Sequence, residues 1–205
     1  MAKTPDTEVN AGAASGPTAE GLAAAARSAG QKGPPPVHLW SPPFCGDLDM
    51  EIRRDGTWFY LGTPIGRPAL VKLFSSILRK DGEAYFLVTP VEKVGIRVED
   101  APFVAVDAEV SGTGRGQDLT FTTHVGDSVT AGPEHPIRLE RDAETGEPSP
   151  YVHVRANLEA LIDRKTFYRL VERGVHEDQG GTSWFGLWSG GAFFKVIPSA
   201  ELGDG

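Results

Sequence analysis

The sequence predicts an α+β fold made of two related sheet-plus-helix units, and three observations lead there. One pattern is written twice, across 47–98 and again across 135–197: strand, turn, strand, an arginine leading into a helix, glycine, strand, tight turn, strand. Most of the strand-like stretches are short and separated by Gly, Pro or Asp, which favours antiparallel hairpins. Each copy also holds one run with apolar residues at helical spacing, enough to back a sheet with a single helix.

Residues 1–36 are rich in Ala, Gly, Ser and Thr and end in Gly33-Pro34-Pro35-Pro36, so they read as a flexible N-terminal tail. Within it, Thr18 can cap a short helix through Leu22 to Ser28, which would be marginal on its own. Order is expected from Val37-His38-Leu39-Trp40, where apolar bulk first appears. Met50 to Arg54 and Thr57 to Leu61 flank Asp55-Gly56, the signal for a two-residue type I′ hairpin turn. Arg67 and Pro68 open a helix whose apolar positions run from Leu70 to Leu78, ending before Asp81-Gly82. Tyr85 to Val88 is a buried strand, Thr89-Pro90 breaks it, and Val94, Ile96 and Val98 alternate along the next.

Between the copies, Phe103 to Val110 and Leu119 to Thr123 form a hairpin across the glycine-rich Ser111 to Gly116. The second copy has a strand at Ile137 to Arg141, another at Tyr151 to Val154, and then Arg155 opening a longer helix from Leu158 to Val171. Gly174 is placed to end that helix. Trp184 to Trp188 and Ala192 to Ile197 enclose Ser189-Gly190-Gly191 as a final hairpin. The division that follows is a tail at 1–36, a first subdomain at 37–99 and a second at 100–201.

A chain of 205 residues with 40% hydrophobic content can bury a real core. Its formal charge of −8 argues against broad nucleic-acid binding, which needs a basic face to neutralise phosphates. Cys45 is the only cysteine, so no internal disulfide and no multi-cysteine zinc site can form, and a small buried thiol is the simplest expectation. No apolar run approaches the roughly 20 residues that span a bilayer, and the N-terminus lacks an apolar core of signal-peptide length, which points to a cytoplasmic protein.

Trp40 with Cys45-Gly46-Asp47, Asp55-Gly56-Thr57-Trp58, Gly62-Thr63-Pro64-Ile65, Arg67, Leu70-Val71 and Leu73-Phe74 form an ordered motif series. Leu87-Val88-Thr89-Pro90-Val91-Glu92-Lys93 and Val98-Glu99-Asp100-Ala101-Pro102-Phe103 continue it. This series resembles a bacterial family, domain of unknown function 1285, from about residue 37 to the end. The resemblance implies an internal duplication, a C-terminal unit superficially like pleckstrin-homology domains, and no established activity. It also implies a role in signal transduction through a nucleotide-like ligand at the domain interface. It brings no catalytic residues with it.

The residues themselves offer a few candidate contacts. The repeat pattern places Arg67 and Arg155 equivalently before helices, and a guanidinium suits bidentate contact with phosphate or carboxylate. An internal anion such as Asp100 could equally be the partner. Glu92 and Lys93 lie in the turn after a buried strand, where they could reach a cleft or simply be solvated. Trp58 could stack on a base, although packing in the core is the commoner use of such a residue. Gly62 to Gly66 is no phosphate loop, because Gly-Lys-Ser/Thr is absent. The leading expectation is a non-enzymatic binding or sensing protein that holds a small anionic or nucleotide-like molecule between two copies. Its contacts would be Arg67, Lys93, Glu92, Trp58, Asp100 and Arg155, with no catalytic residue, metal or cofactor. A protein-interaction module is the second reading, and a hydrolase using Cys45 with a distant histidine the third.

Overall fold

The computed structural model describes residues 16–30 and 35–202. Three helices, β-sheets of six, six and three strands, and short 3-10 turns make a mixed α+β architecture. The first sheet contains β1 (Phe44–Ile52), β2 (Trp58–Tyr60), β3 (Thr63–Pro64), β4 (Leu78–Asp81), β5 (Ala84–Val88) and β6 (Lys93–Val98), in the order β3-β2-β1-β6-β5-β4. The second contains β7 (Phe103–Ser111), β8 (Asp118–Thr123), β9 (Ser128–Thr130), β10 (Ile137–Arg141), β11 (Pro148–Arg155) and β12 (Leu158–Ile162). Its order is β10-β11-β12-β7-β8-β9. Read from the other edge, that is the order of the first sheet. Each sheet is two three-stranded antiparallel meanders, joined where its first strand runs parallel to its sixth, β1 beside β6 and β7 beside β12.

The repeated topology supports a duplication, but its copies are not those the sequence pattern outlines. Helix α2 (Pro68–Ser76) lies between the third and fourth strands of the first sheet, whereas α3 (Arg164–Val171) follows the sixth strand of the second. The two helices are therefore not equivalent, and aligning them displaces the repeat. Leu158 to Ile162, expected to be helical, forms β12: Leu158, Ala160 and Ile162 are buried while Glu159 faces outward to pair with Arg138. That period of two is a strand's. The helix starts only at Asp163, whose carboxylate accepts the Thr166 N–H at 2.7 Å as an N-cap. Arg155 consequently ends β11 and opens no helix.

Three further expectations change. The β1–β2 turn closes through Gly56 N–H donating to Arg53 O at 2.9 Å, with only Gly56 at positive φ (+84°). This is a three-residue loop with a glycine bulge, not a two-residue type I′ turn. The two-residue turn is the next one, where Leu61 (φ 49°) and Gly62 (φ 71°) join β2 to β3. Residues 1–15 and 31–34 of the expected tail lie outside the described residues. Helix α1 (Ala19–Ala29) within it is packed, with Leu22 and Ala26 fully buried. Thr18 caps it as expected, accepting the Gly21 N–H. Cys45 is exposed, not buried.

The buried residues form one continuous cluster from α1 through both six-stranded sheets to Leu187 and Phe194 of the last sheet. That sheet comprises β13 (Val175–Asp178), β14 (Ser183–Ser189) and β15 (Ala192–Pro198). Among the described residues, no helix is long and apolar enough to cross a membrane.

Candidate functional site

The two six-stranded units meet around Arg54, Asp100, Arg155 and a cavity beside α2. Arg54 Nη2 donates to Ser149 Oγ at 2.8 Å, and Nη1 faces Asp100 Oδ2 at 3.0 Å. The other oxygen of Asp100 accepts the Tyr151 hydroxyl at 2.8 Å. Arg155 pairs with Asp127, donates to Ser75 O at 2.8 Å and lies over the Phe103 ring. Asn157 donates to Lys80 O at 3.0 Å. Asp100 and Arg155, both candidate ligand contacts, thus act as structural partners that join the units.

The cavity has a volume of about 490 Å³. Its walls come from the β1–β2 turn, Trp58, the β3–α2 connection, the first turns of α2, and His124 and Val125 in the β8–β9 turn. Trp58 is 1% exposed and stacks on Phe74, with ring centroids 6.2 Å apart. Its indole Nε1 is buried without a hydrogen-bond partner, and so is His124 Nε2. Both residues line the cavity, and both nitrogens are covered by protein atoms without a partner, which is unusual because buried polar groups nearly always find one.

The backbone decides what His124 presents. The Val104 N–H donates to His124 Nδ1 at 3.1 Å. A neutral ring accepting at Nδ1 carries its proton on Nε2. Burial holds the pKa of His124 below the usual histidine value, and the backbone of Val104, the Asp127 and Asp55 carboxylates and the backbone of Gly56 only partly oppose this. His124 Nε2 and Trp58 Nε1 are therefore both N–H donors. Lys72 also lines the cavity and is exposed, and it has no ion-pair partner among the described residues. Arg67, between the lining residues Gly66 and Pro68, is likewise exposed and unpaired among them. It is the N-cap residue of α2, and no side chain caps that helix's first turn. Donors, ammonium, guanidinium and a free helix N-terminus all favour an acceptor-rich, anionic guest.

Of the residues singled out in the sequence, Trp58 lines this cavity and Arg67 lies in the chain between two residues that do. Lys93 instead pairs with Asp81 at 2.7 Å and lies 3.8 Å from the centre of the Phe86 ring. Glu92 sits in the Thr89–Lys93 turn, its carbonyl accepting from Thr89 N–H. Neither reaches the cavity. His124 and Lys72 were not among the ligand candidates. Lys72 reads as the solvent face of a helix, and His124 follows a strand with no local motif. Cys45 Sγ donates to Pro43 O at 3.5 Å, and no histidine is hydrogen-bonded to it among the described residues. No three His, Cys, Asp or Glu side chains among them gather as a metal would require.

Fold and cavity define a two-unit α+β protein with a donor-lined cavity at the junction of repeated sheets. Residues 35–101 match the family model "Domain of unknown function (DUF1285), N-terminal domain", and residues 102–196 match "Protein of unknown function (DUF1285), C-terminal domain". The chain belongs to the DUF1285 family. It is similar to the crystal structure of a DUF1285 family protein from Silicibacter pomeroyi DSS-3, with 66% identity and a TM-score of 0.81, over 88% of this chain and 97% of that one. A DUF1285 family protein from Shewanella baltica OS155 matches at 31% identity and a TM-score of 0.49, over 62% of this chain and 92% of that one. No curated protein matches the chain.

Proposed function

We propose that this protein is a non-enzymatic binding or sensing protein that holds a small anionic ligand in the cavity between its two six-stranded units. The observation that carries this reading is one cavity lined by the exposed Lys72, unpaired among the described residues, by the uncapped first turn of α2, and by Trp58 and His124, each of which has a buried ring nitrogen without a hydrogen-bond partner. A ligand oxygen that displaced the atoms now covering either nitrogen would remove the cost of leaving it unsatisfied, about 1–3 kcal/mol. Arg67 would add charge at the rim. Trp58 frames the pocket, because its faces are occupied by core packing and Phe74. The nucleotide-like ligand, the role in bacterial signal transduction and the cytoplasmic setting rest on the family resemblance and on the chain's composition. So do the pleckstrin-homology-like character of the second unit and the division at 37–99 and 100–201.

The test is calorimetric titration with inorganic phosphate, pyrophosphate and nucleoside monophosphates, repeated on Trp58→Phe and His124→Phe. Binding weakened tenfold or more by each substitution, with the fold retained, supports the site. Equal affinity in the variants, or no heat with any anion at millimolar concentration, overturns it. The reading as a protein-interaction module draws on one observation: Phe44 is 58% and Val91 68% exposed at the same end of the first sheet.

A further inference from the structure

A second cavity, of about 760 Å³, lies on the other side of the ridge that Ala69 and Lys72 make on α2, and both residues line both cavities. Its apolar walls include Val37, Leu73, Leu78 and Leu158. Its lining is more apolar than the first cavity's, and most of its polar groups are engaged, Arg79 Nε being buried without a partner. Arg155 is held by Asp127 and Ser75 O, and both terminal nitrogens of Arg79 are held by Val37 O, Trp40 O and Asp81. The Ser75 and Ser76 hydroxyls donate to Lys72 O and Leu73 O, and the Asn157 amide donates to Lys80 O. An apolar guest would cover the half-buried Val37 and Leu73, with Leu78 and Leu158 already buried in the wall.

The two spaces share Ala69 and Lys72 as walls. The β8–β9 turn gives His124 to the first cavity and Asp127 to the second. Lys72 reaches across, its Nζ 3.5 Å from where a Cβ on Gly126 would stand. A ligand occupying both spaces would pass Lys72 at the point where its charged and apolar parts join.

We propose that the two cavities form a single site for an amphipathic anion, its oxyanion head held by Lys72 beside Trp58 and His124 and its apolar tail lying against Val37 and Leu73. This rests on the anion reading of the first cavity and adds the class of ligand. The experiment is calorimetric titration of the full chain with inorganic phosphate and with ethyl, butyl and octyl phosphate below their micellar concentrations, with adenosine monophosphate as a polar comparison. Leu73→Trp, which fills the second cavity from the partly exposed face of α2, is titrated in parallel.

Affinity should rise along the alkyl series by up to about fourfold per buried methylene. Leu73→Trp should abolish that rise, so that octyl phosphate binds the variant no more tightly than inorganic phosphate does. Equal affinity for inorganic and octyl phosphate, a rise that persists in Leu73→Trp, or a preference for adenosine monophosphate over octyl phosphate each overturns the tail site and leaves the anion reading standing. Absence of binding by every phosphate overturns both.

Discussion

A Cβ placed on Gly56 would stand 3.2 Å from both Cδ2 and Nε2 of His124. The bulge of the first unit's opening hairpin therefore lies directly against the imidazole edge that the second unit brings to the cavity. Gly56 is needed twice here, for its φ of +84° and for this close approach. Gly56→Ala should destabilise the protein by about 1–2 kcal/mol from the left-handed backbone alone. It should also move the ring and weaken anion binding. A urea midpoint and a phosphate titration on the same variant check both effects. Loss of stability with unchanged binding would separate the turn from the site.

Helix α1 is part of the core, as Leu22 shows. Its side chain is fully buried among residues of the continuous cluster. Leu22→Ala should cost about 2–5 kcal/mol, the range for a leucine removed from a packed interior. A flexible tail would give almost nothing. Chemical denaturation of the variant distinguishes the two, and a change within experimental error would return α1 to the tail.

Much of the strand pattern was legible because turn chemistry marks it. Asp55-Gly56, Ser111 to Gly116 and Ser189-Gly190-Gly191 all fall between paired strands. The second unit was misread at Leu158-Glu159-Ala160-Leu161-Ile162, where a short apolar run fits either a strand or the start of the helix that follows at Arg164. What decides it is a long-range pairing, Ala160 opposite Phe103 and Ile162 opposite Ala105, which leaves no local signal. The same holds for the site. Trp58 and Arg67 could be picked out as an aromatic and a helix-opening cation. His124 matters only because Val104, Gly56 and α2 converge on it in the folded chain.

Tyr151 ties a strand of the second sheet to the junction through Asp100. Burial, and after it the hydrogen bond to Asp100, pushes the pKa of Tyr151 up to about 12 from 10.0. A raised pKa means that the neutral phenol is favoured in the folded state. This contribution is fully present below pH 10 and is lost as pH rises toward 12. Tyrosinate absorbance should therefore show a late-ionising phase, and Tyr151→Phe should diminish it. At neutral pH the same substitution should cost about 1–2 kcal/mol, because Asp100 keeps only Arg54 as a side-chain partner. A late phase undiminished in Tyr151→Phe would assign it to another tyrosine, with Tyr85, also raised by burial, the next candidate.

His124 sets the acid limb. Its pKa lies below the ordinary 6.5, principally through burial, so the folded state resists a proton that the unfolded chain accepts. A depressed pKa gives a contribution present above pH 6.5 and lost as pH falls through the folded value. Unfolding free energy measured from about pH 8 down to about pH 5 should decline below the unfolded pKa, and the decline should be shallower in His124→Phe. An anion in the cavity should oppose this loss, since negative charge beside Nε2 favours the imidazolium. Saturating phosphate should then stabilise the wild-type protein more at the acid end than at the alkaline end, and this excess should vanish in His124→Phe. Identical acid limbs in wild type and variant, with and without phosphate, would show that His124 neither titrates with folding nor meets the ligand.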